Sequence, residues 1–148
     1  MANYAENRKA RFEYEILDKY EAGIKLTGME AKSVREGKMS LDGSFVIVRG
    51  GEAYLINANI TPFQPKNAGA DYDSLRNKKL LLTRKELKEL DASEKNKSLT
   101  IVPLVVYNKS KKIKLGIALA KGKKKRDKRE SIKKRETDRE LRRTLKDY

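Results

Sequence analysis

Residues 99–120, LTIVPLVVYNKSKKIKLGIALA, read as two strands joined by a turn. Leu99 to Tyr107 is an almost unbroken apolar run, and Asn108-Lys109-Ser110-Lys111 is polar. Ile113, Leu115, Ile117 and Leu119 then alternate with Lys112, Lys114, Gly116 and Ala118. A period of two puts the first set on a core face and the second, small or basic, on the opposite face. So short a connection predicts an antiparallel hairpin.

The residues upstream fit the same plan. Leu80-Leu81-Leu82 precedes Thr83-Arg84-Lys85-Glu86, where Thr83 can accept from the Glu86 amide while Glu86 reaches back to the Thr83 amide. Leu82 and Leu87 stand at hydrophobic-staple positions, and the helix is expected to reach Asp91 or Ser93. Thr27-Gly28-Met29-Glu30 repeats the pattern and predicts a short helix from Gly28 to about Glu36, ended by Gly37. Between these helices lies a second hairpin. Phe45 to Val48 leads into Arg49-Gly50-Gly51-Glu52, whose glycines supply positive φ, and Ala53 to Ile56 leads out and on to Ile60. Thr61-Pro62 stops the pairing, Gln64 to Ser74 is a polar loop, and Phe12 to Leu26 favours extended backbone. The order strand, helix, hairpin, loop, helix, hairpin predicts a mainly β domain with short helices over residues 1–120. A small antiparallel barrel of the oligonucleotide-binding type, partly open and with five or six strands, suits it.

Residues 121–148 differ in kind. They hold 14 Lys or Arg against six Asp or Glu, out of a net charge of +15 for the 148-residue chain. Asp138–Arg142 and Glu130–Lys134 stand at helical spacing, and Leu141 and Leu145 share a helix face. Two leucines bury too little to offset the ordering entropy of a docked helix. The tail is therefore expected to be disordered alone and helical once a polyanion neutralises it. A solvated charged tail is the plainer alternative.

The chain contains neither cysteine nor histidine, which excludes Ser-His-Asp triads, Cys-His dyads and zinc sites built on those residues. No cofactor or metal is expected. No apolar run approaches a membrane span of about 20 residues. The N-terminal MANYAENRKARF lacks a signal-peptide core, so no membrane association and a cytoplasmic location are expected. One arrangement carries potential chemistry. Asp18 with Glu30 and Lys32 has the D…E-x-K order of a Mg²⁺-dependent nuclease, but the E-x-K falls in the predicted helix just after its cap. No glycine is set in a phosphate-loop pattern.

Material for binding nucleic acid is richer. Asn7, Arg8, Lys9 and Arg11 form a basic arm, Lys78 and Lys79 precede the leucine triplet, and Lys112 and Lys114 share a strand face. Tyr14, Tyr20 and Phe45 offer rings for stacking on unpaired bases. Basic arm, strand face and tail together point to RNA.

Several blocks resemble the SsrA-binding protein (small protein B) family, in order along nearly the whole chain. They are Asn7-Arg8-Lys9-Ala10-Arg11, Tyr20-Glu21-Ala22-Gly23-Ile24, Gly28-Met29-Glu30-Ala31-Lys32-Ser33-Val34-Arg35, Asn59-Ile60-Thr61-Pro62, Lys79-Leu80-Leu81-Leu82, and Ala120-Lys121-Gly122-Lys123-Lys124 with Asp127-Lys128-Arg129. The resemblance implies a non-enzymatic RNA-binding adaptor with an oligonucleotide-binding-type barrel. Such an adaptor binds the tRNA-like part of transfer-messenger RNA and delivers it to stalled ribosomes for trans-translation. It places Asn7, Tyr14, Glu21, Leu81 and Lys114 at or beside the RNA surface, and leaves open whether Leu81 is contact or core. Lys121, Gly122, Lys123, Lys124, Arg126, Asp127, Lys128 and Arg129 would begin a ribosome-facing tail that probes the empty mRNA channel by the decoding centre. Arg126 stands where relatives commonly have histidine or tyrosine, and a guanidinium can still stack on a base. The implied partners are transfer-messenger RNA, the ribosome with its small-subunit RNA and, through the charged RNA, elongation factor Tu; the protein is expected to be a monomer. The rivals are a structural ribosomal protein with a basic extension and the Mg²⁺ nuclease at Asp18, Glu30 and Lys32.

Overall fold

The computed structural model describes residues 3–63 and 72–123. In chain order the elements are β1 (Asn3–Glu6), α1 (Arg8–Glu13), β2 (Tyr14–Ile24), α2 (Gly28–Arg35), β3 (Met39–Ser40), β4 (Phe45–Arg49), β5 (Glu52–Ile56), β6 (Asn59–Ile60), β7 (Lys78–Leu81), α3 (Arg84–Glu94), β8 (Leu99–Lys109) and β9 (Lys112–Gly122). Six strands close an antiparallel ring in the order β8-β4-β5-β7-β2-β9, with β9 pairing back to β8. β1 adds to the free stretch of β8, and β3 pairs with β6 apart from the ring.

The ring is tight along the long β2–β9–β8 ladder and thin elsewhere. β4 meets β8 only at Val46↔Ile101, and β2 meets β7 only at Gly23↔Leu81 and Ile24↔Leu80. Helix α3 packs on both β4 and β8 across the first of these seams and sends Leu90 into the core. Where the strands splay, the Val48 amide donates instead to Glu94 Oε2 at 2.7 Å, so a backbone donor that lost its ladder partner is satisfied by the helix. Leu55, Ile60, Leu80, Ile101, Leu115 and Ile117 fill the barrel. Each such side chain contributes roughly 1.5–3 kcal/mol on burial.

The local signals act as their chemistry requires. Both threonine caps close reciprocally. Glu30 N donates to Thr27 Oγ1 at 3.2 Å and Thr27 N to Glu30 Oε1 at 2.9 Å, and the same exchange links Thr83 and Glu86. Gly37, at φ +76°, ends α2 with its own amide on Val34 O and the Lys38 amide on Ser33 O, which satisfies two orphan carbonyls. Gly50 and Gly51, at φ 61° and 75°, make the β4–β5 turn.

Four expectations change. Phe12 lies in α1, not in a strand, because the basic arm folds into β1 and α1 over the sheet. The strand expected to continue to Ile60 breaks at Asn57, whose φ is 62°, and Asn59–Ile60 turns away to pair with Met39–Ser40. Lys78–Leu81 is itself a strand. The small face of the last strand is not open: Ala118 and Ala120 are buried in a second cluster with Val102 and with Ala10 of α1. β9 itself runs to Gly122, with Lys121 and Gly122 paired to Glu15 and Tyr14.

Candidate nucleic-acid interface

The outer face of the ring is set by register. One row runs Tyr107–Lys114–Gly23–Leu81 across β8, β9, β2 and β7, and the next runs Val105–Gly116–Glu21. Strand alternation turns all of these away from the core side chains Ile113, Leu115 and Ile117. The two glycines keep the surface low. A Cβ on Gly23 would sit 3.1 Å from Leu81 Cβ, and one on Gly116 3.1 Å from Val105 Cγ1. Leu81 is 55 % exposed, so it is a surface residue and not core.

Two open depressions meet at Glu21. The larger, about 900 Å³, runs between that face and the β1–α1 segment, bringing Asn7, Arg8, Arg11 and Lys19 to its rim. The smaller, about 500 Å³, holds Lys79, Leu81 and Lys114. The structure thus gathers Asn7, Arg8, Arg11, Glu21, Lys79, Leu81 and Lys114 on one continuous surface. Lys112 stands at the hairpin tip directly opposite Lys109, with Lys111 in the turn between. Like charges placed opposite one another in a ladder repel, and an approaching phosphate relieves that repulsion.

Glu21 is the exception in this field. Its carboxylate accepts from the Tyr107 hydroxyl, and Lys109 Nζ lies 3.2 Å from Oε1 and 3.3 Å from Oε2. The Tyr107 hydrogen bond, then Lys109 and Lys114, hold the Glu21 carboxyl below its ordinary range in spite of an opposing contribution from burial. Burial and the same bond push the Tyr107 phenol up to about 12, so it remains a donor at neutral pH.

Other candidates are buried, lie elsewhere or are committed to holding the fold. Lys78 is fully buried and its ammonium donates to Ala58 O at 2.8 Å, so it cannot meet a phosphate. Asn7 lies on the groove rim but donates Nδ2–H to Pro103 O at 2.9 Å, while its amide donates to Leu104 O, which pins the irregular step in the β8–β9 ladder. Tyr14 packs with Ile16 and Leu104 on the small cluster under α1. Tyr20 packs against the main core, its hydroxyl 3.2 Å from Glu89 Oε2. Phe45 is exposed at the start of β4, and Lys9 is exposed on α1. At the root of the tail, Lys123 N donates to Glu13 O at 2.9 Å and Lys123 Nζ to Arg11 O at 3.1 Å. Lys124, Arg126, Asp127, Lys128, Arg129, Leu141 and Leu145 lie outside the described residues.

The nuclease arrangement does not assemble. Glu30 is buried, with Arg76 Nη2 2.6 Å from Oε1 and Arg76 Nε 3.2 Å from Oε2, and it also closes the helix cap. Asp18 sits on β2 and is engaged by the Lys19 amide and the Tyr20 hydroxyl. Sequence reasoning missed Tyr107, Lys109, Gly23 and Gly116. Register was the available signal: a two-residue turn at Ser110-Lys111 sets Tyr107 opposite Lys114.

The comparisons with known proteins agree with one another. The family model described as SmpB protein matches residues 4–147. An SsrA-binding protein of Gloeothece citriformis (strain PCC 7424) is 47% identical over 141 residues, covering 95% of this chain and 91% of the relative. One of Ligilactobacillus salivarius (strain UCC118) is 50% identical over 144 residues, covering 97% and 92%. A solved structure described as "tmRNA-SmpB: a journey to the center of the bacterial ribosome" superposes with a TM-score of 0.67 at 44% identity, over 86% of this chain and 92% of that one. None of these names carries a catalytic activity. Among the described residues no helix is long and apolar enough to cross a membrane. With the barrel, the lysine-ringed outer face and matches along almost the full length, this chain belongs to the SmpB family of SsrA-binding proteins.

Proposed function

We propose that this protein is an adaptor that binds the tRNA-like part of transfer-messenger RNA and delivers it to stalled ribosomes for trans-translation. The observation that carries the reading is the outer barrel face, where lysines from four elements surround one oriented carboxylate and one exposed leucine, in a chain of this family. Lys19, Lys79, Lys112 and Lys114 neutralise phosphate, Leu81 packs on an unpaired base or ribose, and Arg8, Lys9 and Arg11 extend the track along α1. Tyr14 supports α1 from beneath.

The tail beyond Lys123 follows the vacant mRNA channel toward the decoding centre, with Lys124, Arg126, Lys128 and Arg129 on small-subunit RNA and Asp127 ordering them. Its charge and its spaced leucines Leu141 and Leu145 support that role. Elongation factor Tu joins through the charged RNA. The protein acts as a monomer, which ring closure favours by leaving few free strand edges. It works in the cytoplasm, where ribosomes are. It is not an enzyme, since Glu30 is committed to Arg76 and to its cap.

A mobility-shift titration of the full chain with transfer-messenger RNA tests this, alongside tagging of a stalled nascent peptide in an extract depleted of the endogenous adaptor. Tight, salt-sensitive binding and restored tagging are expected, with a log–log slope of about −0.7 to −0.9 per neutralised phosphate. Stoichiometric presence on all ribosomes without tagging would favour a structural ribosomal protein. Mg²⁺-dependent RNA cleavage lost in Glu30→Gln would favour the nuclease.

A further inference from the structure

We propose that Tyr107 is a positioning residue that holds Glu21 as a base-edge acceptor for an unpaired guanine of the bound RNA. The inference rests on the RNA-binding reading above and assigns the chemistry of one subsite within it. A carboxylate repels phosphate and has only lone pairs to offer, so its partners on RNA are N–H or O–H groups. Among the four bases, guanine alone presents two adjacent donors, N1–H and the 2-amino group, on its Watson–Crick edge. That edge matches the two oxygens of one carboxylate and is open only where the base is unpaired.

The surroundings of Glu21 are built for such a base. The groove beside it, about 900 Å³, falls in the range of roughly 300–1,000 Å³ typical of small-molecule sites. Its floor at Gly116 has no side chain, and its rim carries Arg8, Arg11 and Lys19 for the flanking phosphates. The Tyr107 hydroxyl takes a single accepting position on Oε2 and fixes the plane of the carboxylate. Lys109 is held at 3.2–3.3 Å in an exposed pair, a type of contact worth little. It therefore swings to an incoming phosphate, which frees accepting positions on both oxygens while Tyr107 keeps them aimed. Without Tyr107 the glutamate would have no fixed orientation, and the charged lysines would draw it off the base.

Kethoxal, which modifies N1 and N2 of unpaired guanine, tests the assignment on the complex of the full-length protein with transfer-messenger RNA. Dimethyl sulfate, which reports adenine and cytosine edges, runs in parallel. The wild type should protect a guanine that becomes reactive again with Glu21→Gln while the remaining protections persist. Tyr107→Phe, with unchanged circular dichroism and melting, should weaken binding roughly tenfold, as expected for loss of a hydrogen bond to a charged group. It should partly re-expose the same guanine and add no further loss in the Glu21→Gln background. An equal loss in both backgrounds would make Tyr107 merely structural and overturn its role. A Glu21→Gln effect confined to adenine or cytosine, or to no base, would overturn the guanine assignment. A wild type that does not bind the RNA at all refutes the proposed function, and this inference with it.

Discussion

Glu30 shows how much a single residue can be asked to do inside this barrel. It caps α2, accepts from Nε and Nη2 of Arg76 and lies close enough to Lys78 for their charges to interact, at 3 % exposure. Burial alone would raise its pKa. The Arg76 hydrogen bonds, the Thr27 amide and the charges of Arg76 and Lys78 together outweigh that, and the net position lies below the ordinary carboxylate value of 4.5. Lys78 moves down in turn, mainly because burial disfavours its charge. A carboxyl depressed on folding adds stability that is complete above its unfolded pKa and is lost as pH falls through the folded one. Glu30→Gln should therefore be less stable than the wild type at pH 7, by about 2 kcal/mol once the partial exposure of Arg76 is allowed for. The gap should close as pH falls below the ordinary carboxylate value of 4.5 and through the lower folded one. Urea titrations at several pH values check this, and a gap that widens on acidification would reverse the assigned sign.

At the scale of elements, the β8–β9 hairpin contributes Tyr107, Lys109 and Lys114 to the candidate interface and is closed by an unfavourable turn. Ser110 and Lys111 both adopt positive φ, 51° and 65°, without the glycine or asparagine that such a two-residue turn favours. Left-handed backbone costs ordinary residues about 1–2 kcal/mol. The double substitution Ser110→Asn with Lys111→Gly should stabilise the protein by roughly 0.5–1 kcal/mol, part of the relief being offset by the entropy of glycine. The Arg35 contact to the Lys111 carbonyl uses backbone and would survive. Thermal unfolding reads the gain directly. RNA binding should fall slightly, since one lysine of the tip is removed, and a large fall would mean that Lys111 carries more of the phosphate contact than its neighbours. The helices answer to tertiary demands as well. α1 has no side-chain cap and only one buried residue, Ala10, which joins Val102, Ala118 and Ala120 in a small cluster while the helix packs on β2 and β8.

For the molecule as a whole, charge and core divide along the chain. The barrel holds its core and the candidate interface, while just over half of the net positive charge sits in the 28 residues from Lys121 onward. Because Lys121 and Gly122 pair with β2 and Lys123 bonds to α1, a truncation that tests this division belongs after Lys123. The truncated protein should bind transfer-messenger RNA nearly as well as the full chain at moderate salt and fail to support tagging. Replacing Leu141 and Leu145 together by Asp should abolish tagging with binding intact. Loss of binding by a folded truncated barrel would place the main RNA contact in the tail. The caps at Thr27 and Thr83, the glycine turn, the long apolar hairpin and the charge division were all legible in residue order, because each depends on neighbours a few positions apart. The resemblance blocks likewise carried the family, and Glu21, Lys79 and Leu81 fall within them, while Lys114 was singled out by strand alternation. The sequence left undecided which face Leu81 takes, that Lys78 is buried while Lys79 is not, and that Tyr107 meets Glu21 across 86 residues. Those outcomes follow from strand register and ring closure, in which a shift of one residue exchanges inside for outside, and only the packed barrel selects the register.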